Sequence, residues 1–503
     1  MEKKRIYVLL TLIIIISLTI RLYFAFSTAY FSDDTSYFHL RQIEYIQAHG
    51  YPEFQDPLSF SGRLFLFSPL FHYFFAVLTY FGSTWYLTKI LPNLFATMLI
   101  PVIYLLAEQM TKNKQIAVFT ACIAAFTPIF FVETVNSLSV KSVSIPLAFL
   151  FLYFFANIQQ CKTYCIISMI SLILLDHASI IIILGLVVYL FILKINFMEP
   201  KKEEKEFIFF SLLLALWFYL LLYKSALLRH GIDILWQNIP QQFIDKYYYN
   251  ITIIDTIYHI GIVPLIFGLI VIYYTLFKKP VKVQHEHHEQ HRKAIYPIIS
   301  IIIVTTILLW LKIIEFTVGA LYLSILLVIL SGFGYMEFHK YLQKTKIKKL
   351  GNIIFAVVFM VFVISSVVPA IFYSHDKIEQ TITTKEILFL RFLPEITPKD
   401  AIILSLVDDG HYVEYFGRRR TVADANFLQI RDAKERVDDI KTIFTTESKI
   451  AATKIMNKYN AEYIYISPTA KKLYGIDYLN YEDNDCFKLI YVGEVRLYES
   501  TCK

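Results

Sequence analysis

Two adjacent carboxylates, Asp33 and Asp34, are the residues of this sequence best suited to chemistry. They follow the first long apolar segment by a few residues. A carboxylate can act as a general base or as a hard oxygen ligand for Mg²⁺ or Mn²⁺. The same two residues precede a helix predicted over 37–48, whose N-terminus an aspartate would cap. Spacing alone leaves both interpretations open.

The elements that must position these carboxylates are apolar helices. Of the 503 residues, 56% are apolar and 18% are charged, whereas a soluble domain has about 45–50% apolar and about 25% charged residues. Apolar runs of about 18 or more residues, the length of a membrane-spanning helix, recur as far as about Tyr373. The sequence therefore predicts a polytopic α-helical membrane protein, and it excludes a disordered, collagen-like or disulfide-stapled chain. Eleven spans are predicted, with thirteen as the upper bound, centred near 7–26, 85–107, 115–131, 143–158, 163–176, 178–194, 206–223, 256–277, 295–313, 316–333 and 351–372.

The last part of the chain has a different composition, and no spanning segment follows residue 373. We therefore expect a multi-span membrane domain at 1–372 and a soluble α/β domain at 373–503. Within the second, the pattern predicts a helix over 451–459, a buried strand over 463–467 and a hairpin over 487–498.

Lysine and arginine in short loops predict the orientation of the spans. Lys3, Lys4 and Arg5 precede the first span, which places the N-terminus in the cytoplasm. Counting spans then puts the other basic clusters on the same side, and the C-terminal domain outside. Much of the net charge of +7 is thus a topological signal, so we expect membrane lipids and no nucleic acid as partners.

Two of the five cysteines flank the predicted hairpin. Cys486 and Cys502 lie in the part of the chain expected outside the cytoplasm, where an oxidising compartment favours a disulfide. A reduced pair is the open alternative.

The first external loop carries a motif that resembles a known family. Tyr37-Phe-His-Leu-Arg41 follows Asp33 and Asp34, and a Gly-Tyr-Pro, an Asp-Pro and a Gly-Arg come before an apolar Pro-Leu-Phe. This order is similar to the first external loop of oligosaccharyltransferase catalytic subunits, in particular the archaeal AglB-like proteins, which belong to the GT-C membrane glycosyltransferases. The resemblance implies that Asp34, with Asp33 beside it, serves the catalytic metal or the acceptor. Six residues before Arg41, where the family usually has its aspartate, this chain has Thr35.

A second segment, at the start of the C-terminal domain, resembles the acceptor motif of the same family. Leu406-Val-Asp-Asp-Gly410 stands where the family has Trp-Trp-Asp-Tyr-Gly. The resemblance implies an acceptor-binding role for Asp408, Asp409 and Gly410, without the aromatic wall that both tryptophans and the tyrosine provide. The alternative for this segment is a strand, a turn and a second strand of an ordinary α/β domain.

The resemblance also implies a divalent cation and a partner for the donor phosphate. For Mg²⁺ or Mn²⁺ the candidate ligands are Asp34 and Glu133, the one acid of the external turn 132–142, where Ser139 and Lys141 stand at the family's acidic positions. Without a metal, Asp34 alone would act as the base. External cations are candidates for binding the phosphate: Arg41 by its match to the family loop, and Lys224, Arg229 and His230 by topology and charge.

These features predict a membrane glycosyltransferase of GT-C architecture. It would transfer a sugar or oligosaccharide from a polyprenyl (dolichyl) phosphate-linked donor to an extracytoplasmic protein or glycan acceptor. Two alternatives stay open: a non-catalytic paralogue that binds the lipid-linked saccharide or a partner enzyme, and a transporter of the same lipids.

Overall fold

The computed structural model describes residues 3–231, 248, 252–277, 285–427, 429–483 and 485–502. The chain forms two compact units, each assembled from three stretches of sequence. The helical unit comprises Met1–Ala29, Gly82–Tyr219 and Tyr247–Glu379, and the sheet unit comprises Tyr30–Phe81, Leu220–Lys246 and Gln380–Lys503. The predicted boundary at 372/373 stays a prediction.

In the residues described up to 231, the chain contains eleven α-helices and one short two-stranded sheet. The helices are α1 (Lys3–Ser27), α2 (Thr35–His49), α3 (Leu70–Thr79), α4 (Thr84–Thr97), α5 (Leu99–Thr111), α6 (Lys114–Ala125), α7 (Pro128–Thr134), α8 (Lys141–Ala156), α9 (Ile158–Leu175), α10 (Ser179–Ile195) and α11 (Lys202–His230). The strands are β1 (Gln55–Asp56) and β2 (Arg63–Leu64), which pair antiparallel.

The second half continues with helices and ends in a sheet. Its helices are α12 (Ile253–Ile260), α13 (Ile262–Phe277), α14 (His285–Trp310), α15 (Phe316–Gln343), α16 (Gly351–Phe362), α17 (Val368–Glu379), α18 (Thr384–Ile396), α19 (Gly410–Phe416), α20 (Ala433–Thr445), α21 (Lys449–Tyr459) and α22 (Pro468–Tyr474). Its strands are β3 (Ile402–Leu404), β4 (Arg420–Thr421), β5 (Tyr463–Ile466), β6 (Phe487–Val492) and β7 (Arg496–Ser500).

Helices occupy all eleven predicted spans, which confirms a multi-pass membrane protein. In the described residues seven helical segments are long and apolar enough to cross a membrane, or nine when two bent pairs each count as one span. The bent pairs are α6 with α7, at 49°, and α12 with α13, at 101°. Helices α8 and α10 have 16 and 17 residues, close to the lower limit of about 17 for a span. The number of eleven crossings therefore stays a prediction.

The sheet unit contains a five-stranded mixed sheet in the order β4-β3-β5-β7-β6. Strand β3 pairs parallel with β4 and with β5, and β7 pairs antiparallel with β5 and with β6. All four residues of β5 are buried, as expected for a strand covered on both faces. The predicted helix, buried strand and hairpin correspond to α21, β5 and the β6–β7 hairpin, and Cys486 forms a disulfide with Cys502.

Candidate active site

Helix α2 positions the two carboxylates of the first loop differently. Asp33 Oδ1 accepts hydrogen bonds from the Ser36 amide (2.8 Å), the Ser36 hydroxyl (2.6 Å) and the Thr35 hydroxyl (3.2 Å). Asp34 occupies the N-cap position with helical φ and ψ of −71° and −34°, and its side chain makes no capping hydrogen bond. Asp33 therefore accepts the hydrogen bonds that the first turn of α2 donates, and the carboxylate of Asp34 is not used as a cap.

Helices α2 and α19 lie side by side and run in the same direction. The Tyr37 ring contacts the Tyr412 ring at 5.3 Å between centroids, and one turn later Arg41 Nη2 lies 3.1 Å from Glu414 Oε2. The Phe38 and His411 rings also meet, at 5.5 Å. This parallel pairing brings the start of α2, with its two carboxylates, to the same end as the start of α19.

The start of α19 is the segment predicted to bind the acceptor. Asp408 and Asp409 form a single turn of 3₁₀-helix that leads into Gly410, and Asp409 is buried. Burial raises the pKa of the Tyr412 phenol well above its usual value, and Asp34, Tyr37, Asp33 and Asp409 raise it further. Asp33, Asp34 and Asp409 thus act electrostatically on one phenol ring, whereas Asp408 acts on Tyr474.

Gly410 is required by the close approach of α19 to the chain after β4. A Cβ atom at this position would lie 2.6 Å from the Asp424 Cβ and 2.9 Å from the Ala423 carbonyl oxygen. Real Cβ atoms essentially never lie within 3.0 Å of such neighbours, so an added methyl group would force them to shift. The backbone at Gly410 has an ordinary helical φ of −54°, so the constraint is space and not conformation.

Arg41, predicted to bind the donor phosphate, is held by carboxylates of its own unit. Its Nη1 donates to Asp56 Oδ1 at 2.8 Å, its Nη2 pairs with Glu414, and Glu53 lies 3.8 Å away. The Arg41 side chain is only 11% exposed, and those of Asp56 and Glu414 are 1% and 0% exposed. Arg41 therefore joins α2 to the β1–β2 loop and to α19, while its phosphate-binding role stays a prediction.

A buried cluster of acids and bases continues from Glu414. His411 Nδ1 lies 3.0 Å from Glu414 Oε2, and His411 Nε2 lies 3.8 Å from Asp424 Oδ1. Arg63 Nη2 lies 3.7 Å from the same carboxylate, to which the Ser59 hydroxyl donates a hydrogen bond. We call this set the buried charge network: Arg41, Asp56, Arg63, His411, Glu414 and Asp424.

The buried charge network raises the pKa of His411 and lowers the pKa of Asp424. Burial alone would lower the pKa of His411, but the carboxylates of Asp424 and Glu414 raise it to about 9. Burial alone would raise the pKa of Asp424, but Arg63 and His411 bring it below its usual value. Both shifts favour the charged forms, whereas burial and the neighbouring Asp424 raise the pKa of Glu414 to about 7 and burial lowers that of Arg63, so the network is only partly compensated.

Three members of the network are spaced like metal ligands. Ligating atoms of His411, Glu414 and Asp424 lie within 4.8 Å of one another, a spacing compatible with a divalent cation. The carboxylate oxygens of this group, however, already accept hydrogen bonds. Glu414 Oε1 accepts one from the Thr421 hydroxyl at 2.8 Å, and Asp424 Oδ1 accepts one from the Asn426 amide at 2.7 Å. Arginine guanidinium groups bind the same carboxylates, so a cation would have to displace existing pairs.

The other predicted metal ligand, Glu133, lies in the helical unit. Its Oε2 is 2.8 Å from the Lys141 ammonium, and the side chains are 29% and 24% exposed. An ammonium bound to this carboxylate disfavours a divalent cation there. The metal role of Asp34 and Glu133 stays a prediction that the surroundings of Glu133 do not support.

The three remaining predicted phosphate-binding cations belong to α11. Lys224 is solvent-accessible there. Arg229 and His230 are the last two residues of the helix, and their side chains lie outside the described part of the structure. Their predicted role is carried into the proposal below.

Sequence reasoning missed most of the buried charge network. Asp56 and Arg63 stand in the Asp-Pro and Gly-Arg pairs of the first-loop motif, so a signal was present for them. His411 and Glu414 are spaced i, i+3 on one helix face. Nothing in the spacing indicates that Asp424, ten residues later, returns to them.

No protein-family model matches this chain, and neither does any curated protein sequence. Several solved membrane proteins share its fold. An oligosaccharyltransferase from Archaeoglobus fulgidus, tethered with an acceptor peptide containing the NVT sequon, is similar with a TM-score of 0.71 and 14% identity, over 94% of this chain and 70% of that chain. Archaeal oligosaccharyltransferase AglB from Archaeoglobus fulgidus, in complex with an inhibitory peptide and a dolichol-phosphate, is similar with a TM-score of 0.67 and 13% identity. This match covers 92% of this chain and 70% of that chain.

A second type of solved structure covers the chain from end to end. ArnT from Cupriavidus metallidurans bound to undecaprenyl phosphate has a TM-score of 0.53 and 12% identity, over 97% of both chains. At these identities the likeness concerns the fold. It confirms the predicted GT-C-like architecture and the predicted resemblance to the archaeal oligosaccharyltransferases at the level of structure.

Proposed function

We propose that this chain is a membrane glycosyltransferase that uses a polyprenyl-phosphate-linked sugar or oligosaccharide as donor and an extracytoplasmic protein or glycan as acceptor. The observation that carries the proposal is the parallel pairing of α2 with α19, which brings Asp33 and Asp34 to the same end as Asp408, Asp409 and Gly410. The fold supports it, because the similar structures hold dolichol-phosphate, undecaprenyl phosphate and an acceptor peptide.

In this proposal Asp34 activates the acceptor group that attacks the sugar. A carboxylate at that place accepts the proton of the attacking group as the new glycosidic bond forms and the lipid phosphate leaves with the electron pair of the broken bond. Asp33 holds the first turn of α2 in place through its three hydrogen bonds. Asp408 and Asp409 orient the acceptor, and Gly410 allows α19 to approach Asp424 closely.

The departing phosphate requires a cation. Since Arg41 is held by three carboxylates, we assign that contact to Lys224, Arg229 and His230. In this topology the N-terminus is cytoplasmic, and the sheet unit faces the other side of a cell membrane.

The proposal is tested with purified full-length protein and labelled polyprenyl-linked sugars. Asp34→Asn removes the proton acceptor and should lower the transfer rate by about 10²–10⁴-fold, with an unchanged melting temperature. Asp400→Asn is the matched control, because its carboxylate is 82% exposed and pairs with Arg420 at the surface. Transfer is measured by chromatographic separation of labelled product from donor.

Two results would contradict the proposal. An unmodified protein that neither transfers nor hydrolyses any polyprenyl-linked sugar is not this enzyme, and binding of the donor without turnover would then favour a non-catalytic paralogue. Equal rates for the parent and Asp34→Asn would remove Asp34 from the reaction.

A further inference from the structure

The turn between α7 and α8 in the helical unit holds an ion pair in a fixed geometry. Glu133 lies in the last turn of α7, and Lys141 is the first residue of α8. The Lys141 amide lies 3.3 Å from the Ser139 hydroxyl oxygen and donates to it, and the Ser142 hydroxyl donates to the Ser139 carbonyl at 2.7 Å. These bonds fix the start of α8, so the 2.8 Å contact between Lys141 Nζ and Glu133 Oε2 is built into the turn.

Two more carboxylates act on the same ammonium group. Asp176 ends α9, and its Oδ2 accepts a hydrogen bond from the Ser144 hydroxyl, one turn after Lys141, at 2.8 Å. Glu315 directly precedes α15. Both carboxylates interact electrostatically with Lys141, as Glu133 does. One acid is thus in direct contact with Lys141, and two acids of other connections act on its charge.

Several carboxylates from separate loops are also the ligand set that Mg²⁺, Mn²⁺ or Ca²⁺ prefers. Here an ammonium already supplies the positive charge among them. Lysine carries a compact point charge with three donors and no acceptor, so it can neutralise these acids but cannot ligate a cation. A divalent ion at this turn would be repelled by Lys141 and would have to displace it from Glu133.

We propose that Lys141 is an internal cation that takes the place of a divalent ion at the Glu133 turn, so that this chain works without a divalent cation. The expected effect of Lys141 on transfer activity rests on the proposed function, whereas its expected effect on Mn²⁺ binding does not. Lys141 is a positioning residue: it fixes the carboxylate of Glu133 and reduces the negative charge of the surrounding acids. In the buried charge network of the sheet unit, arginine and histidine side chains likewise supply the positive charge beside the carboxylates.

The direct test is binding of Mn²⁺ alone to the full-length protein, followed by the electron paramagnetic resonance signal of free Mn²⁺. The unmodified protein should not deplete the signal at about 0.1 mM Mn²⁺, within the affinity range of weak oxygen-ligand sites. Lys141→Asp replaces the repelling ammonium by a further oxygen ligand and should bind Mn²⁺ at least about tenfold more tightly. If this variant does not fold, Lys141→Gln removes the repulsion alone and should still bind more tightly than the parent.

The chain offers a matched control in Lys114. Like Lys141, it is the first residue of a helix, α6, and it pairs with an acid of the preceding helix, Glu108, at 3.6 Å. Its exposed fraction of 35%, with 30% for Glu108, is similar to that of the Glu133 pair. Lys114→Asp should leave Mn²⁺ binding as weak as in the parent, because the additional carboxylates of Asp176 and Glu315 act on Lys141.

Activity gives the second readout. Transfer by the unmodified protein should be unchanged by EDTA, and Lys141→Asp should become dependent on added Mn²⁺. Stoichiometric Mn²⁺ binding by the parent, or equal binding by parent and Lys141→Asp, overturns the inference. Absence of transfer with the expected Mn²⁺ results overturns the proposed function and leaves the assignment of Lys141 intact.

Discussion

Charged residues are used differently in the two compact units. In the sheet unit, Arg41, Asp56, Glu414, His411, Asp424 and Arg63 pair with one another almost completely removed from solvent. At the α7–α8 turn of the helical unit, the Glu133–Lys141 pair is about one quarter exposed. A buried charge that loses its partner cannot be compensated by water, whereas a partly exposed one can. The network should therefore determine stability, whereas the partly exposed Glu133–Lys141 pair should contribute little to it.

The largest expected effect comes from breaking the network at Arg41. Arg41→Met leaves the buried carboxylates of Asp56 and Glu414 without this cation, and loss of one partner of a buried pair costs about 3–5 kcal/mol. We expect the free energy of unfolding to fall by that amount, measured by thermal or denaturant unfolding in detergent.

Arg420→Met is the control for Arg41→Met. Arg420 pairs with Asp400 at 3.1 Å, and the side chains are 36% and 82% exposed. Exposed pairs contribute about 0–1 kcal/mol, so this variant should unfold like the parent. Equal losses for both variants would show that burial does not distinguish the two pairs.

The second prediction concerns the pH dependence of the network. The pKa of His411 is raised from 6.5 to about 9 in the folded protein. A raised histidine pKa gives stability that is fully present below about pH 6.5 and is lost as the pH rises through about 9. At about 1.4 kcal/mol per pKa unit, the loss amounts to about 3 kcal/mol.

Unfolding curves between pH 6 and pH 10 test this effect. The parent should become less stable across that interval, and His411→Gln should start lower and show a flatter dependence, because it has no proton to lose at that position. A parent whose stability rises between pH 7 and pH 9 would show that His411 is not protonated in the folded protein.

Much of the fold could be predicted from the sequence because its signals are local. Helices occupy all eleven apolar runs, although the number of crossings stays a prediction, and the alternating and helical patterns located α21, β5 and the terminal hairpin. The bends at α6–α7 and α12–α13 and the short α8 and α10 were not foreseen, because hydrophobicity reports burial in lipid or protein and does not distinguish a crossing helix from a bent or short one.

The candidate site was less predictable because its contacts are distant in sequence. Asp33 and Asp34 were found by type and spacing and the 408–410 segment by its resemblance to the family's acceptor motif, yet the sequence did not show that α2 and α19 pair in parallel. Arg41 is an example: its match to the family loop predicted a phosphate contact, and nothing in the sequence showed that Asp56 and Glu414, the latter 373 residues away, bind it in the fold. Sequence spacing indicates which residues share a helix face, but it does not indicate which distant loop packs against them.

The third and smallest prediction tests whether the close approach of α19 to Asp424 maintains the network. Gly410→Ala would place a methyl group 2.6 Å from the Asp424 Cβ, and overpacking of this kind costs about 1–3 kcal/mol. Gly351→Ala is the control, because no atom lies within 4 Å of the added Cβ and α16 begins there; alanine is the better helix former by about 1 kcal/mol. The melting temperature should fall for the first variant and hold or rise for the second. Since Gly410 lies one residue from His411, its variant should also reduce the pH dependence described above, whereas an unaltered pH dependence would mean that the network tolerates a displaced α19.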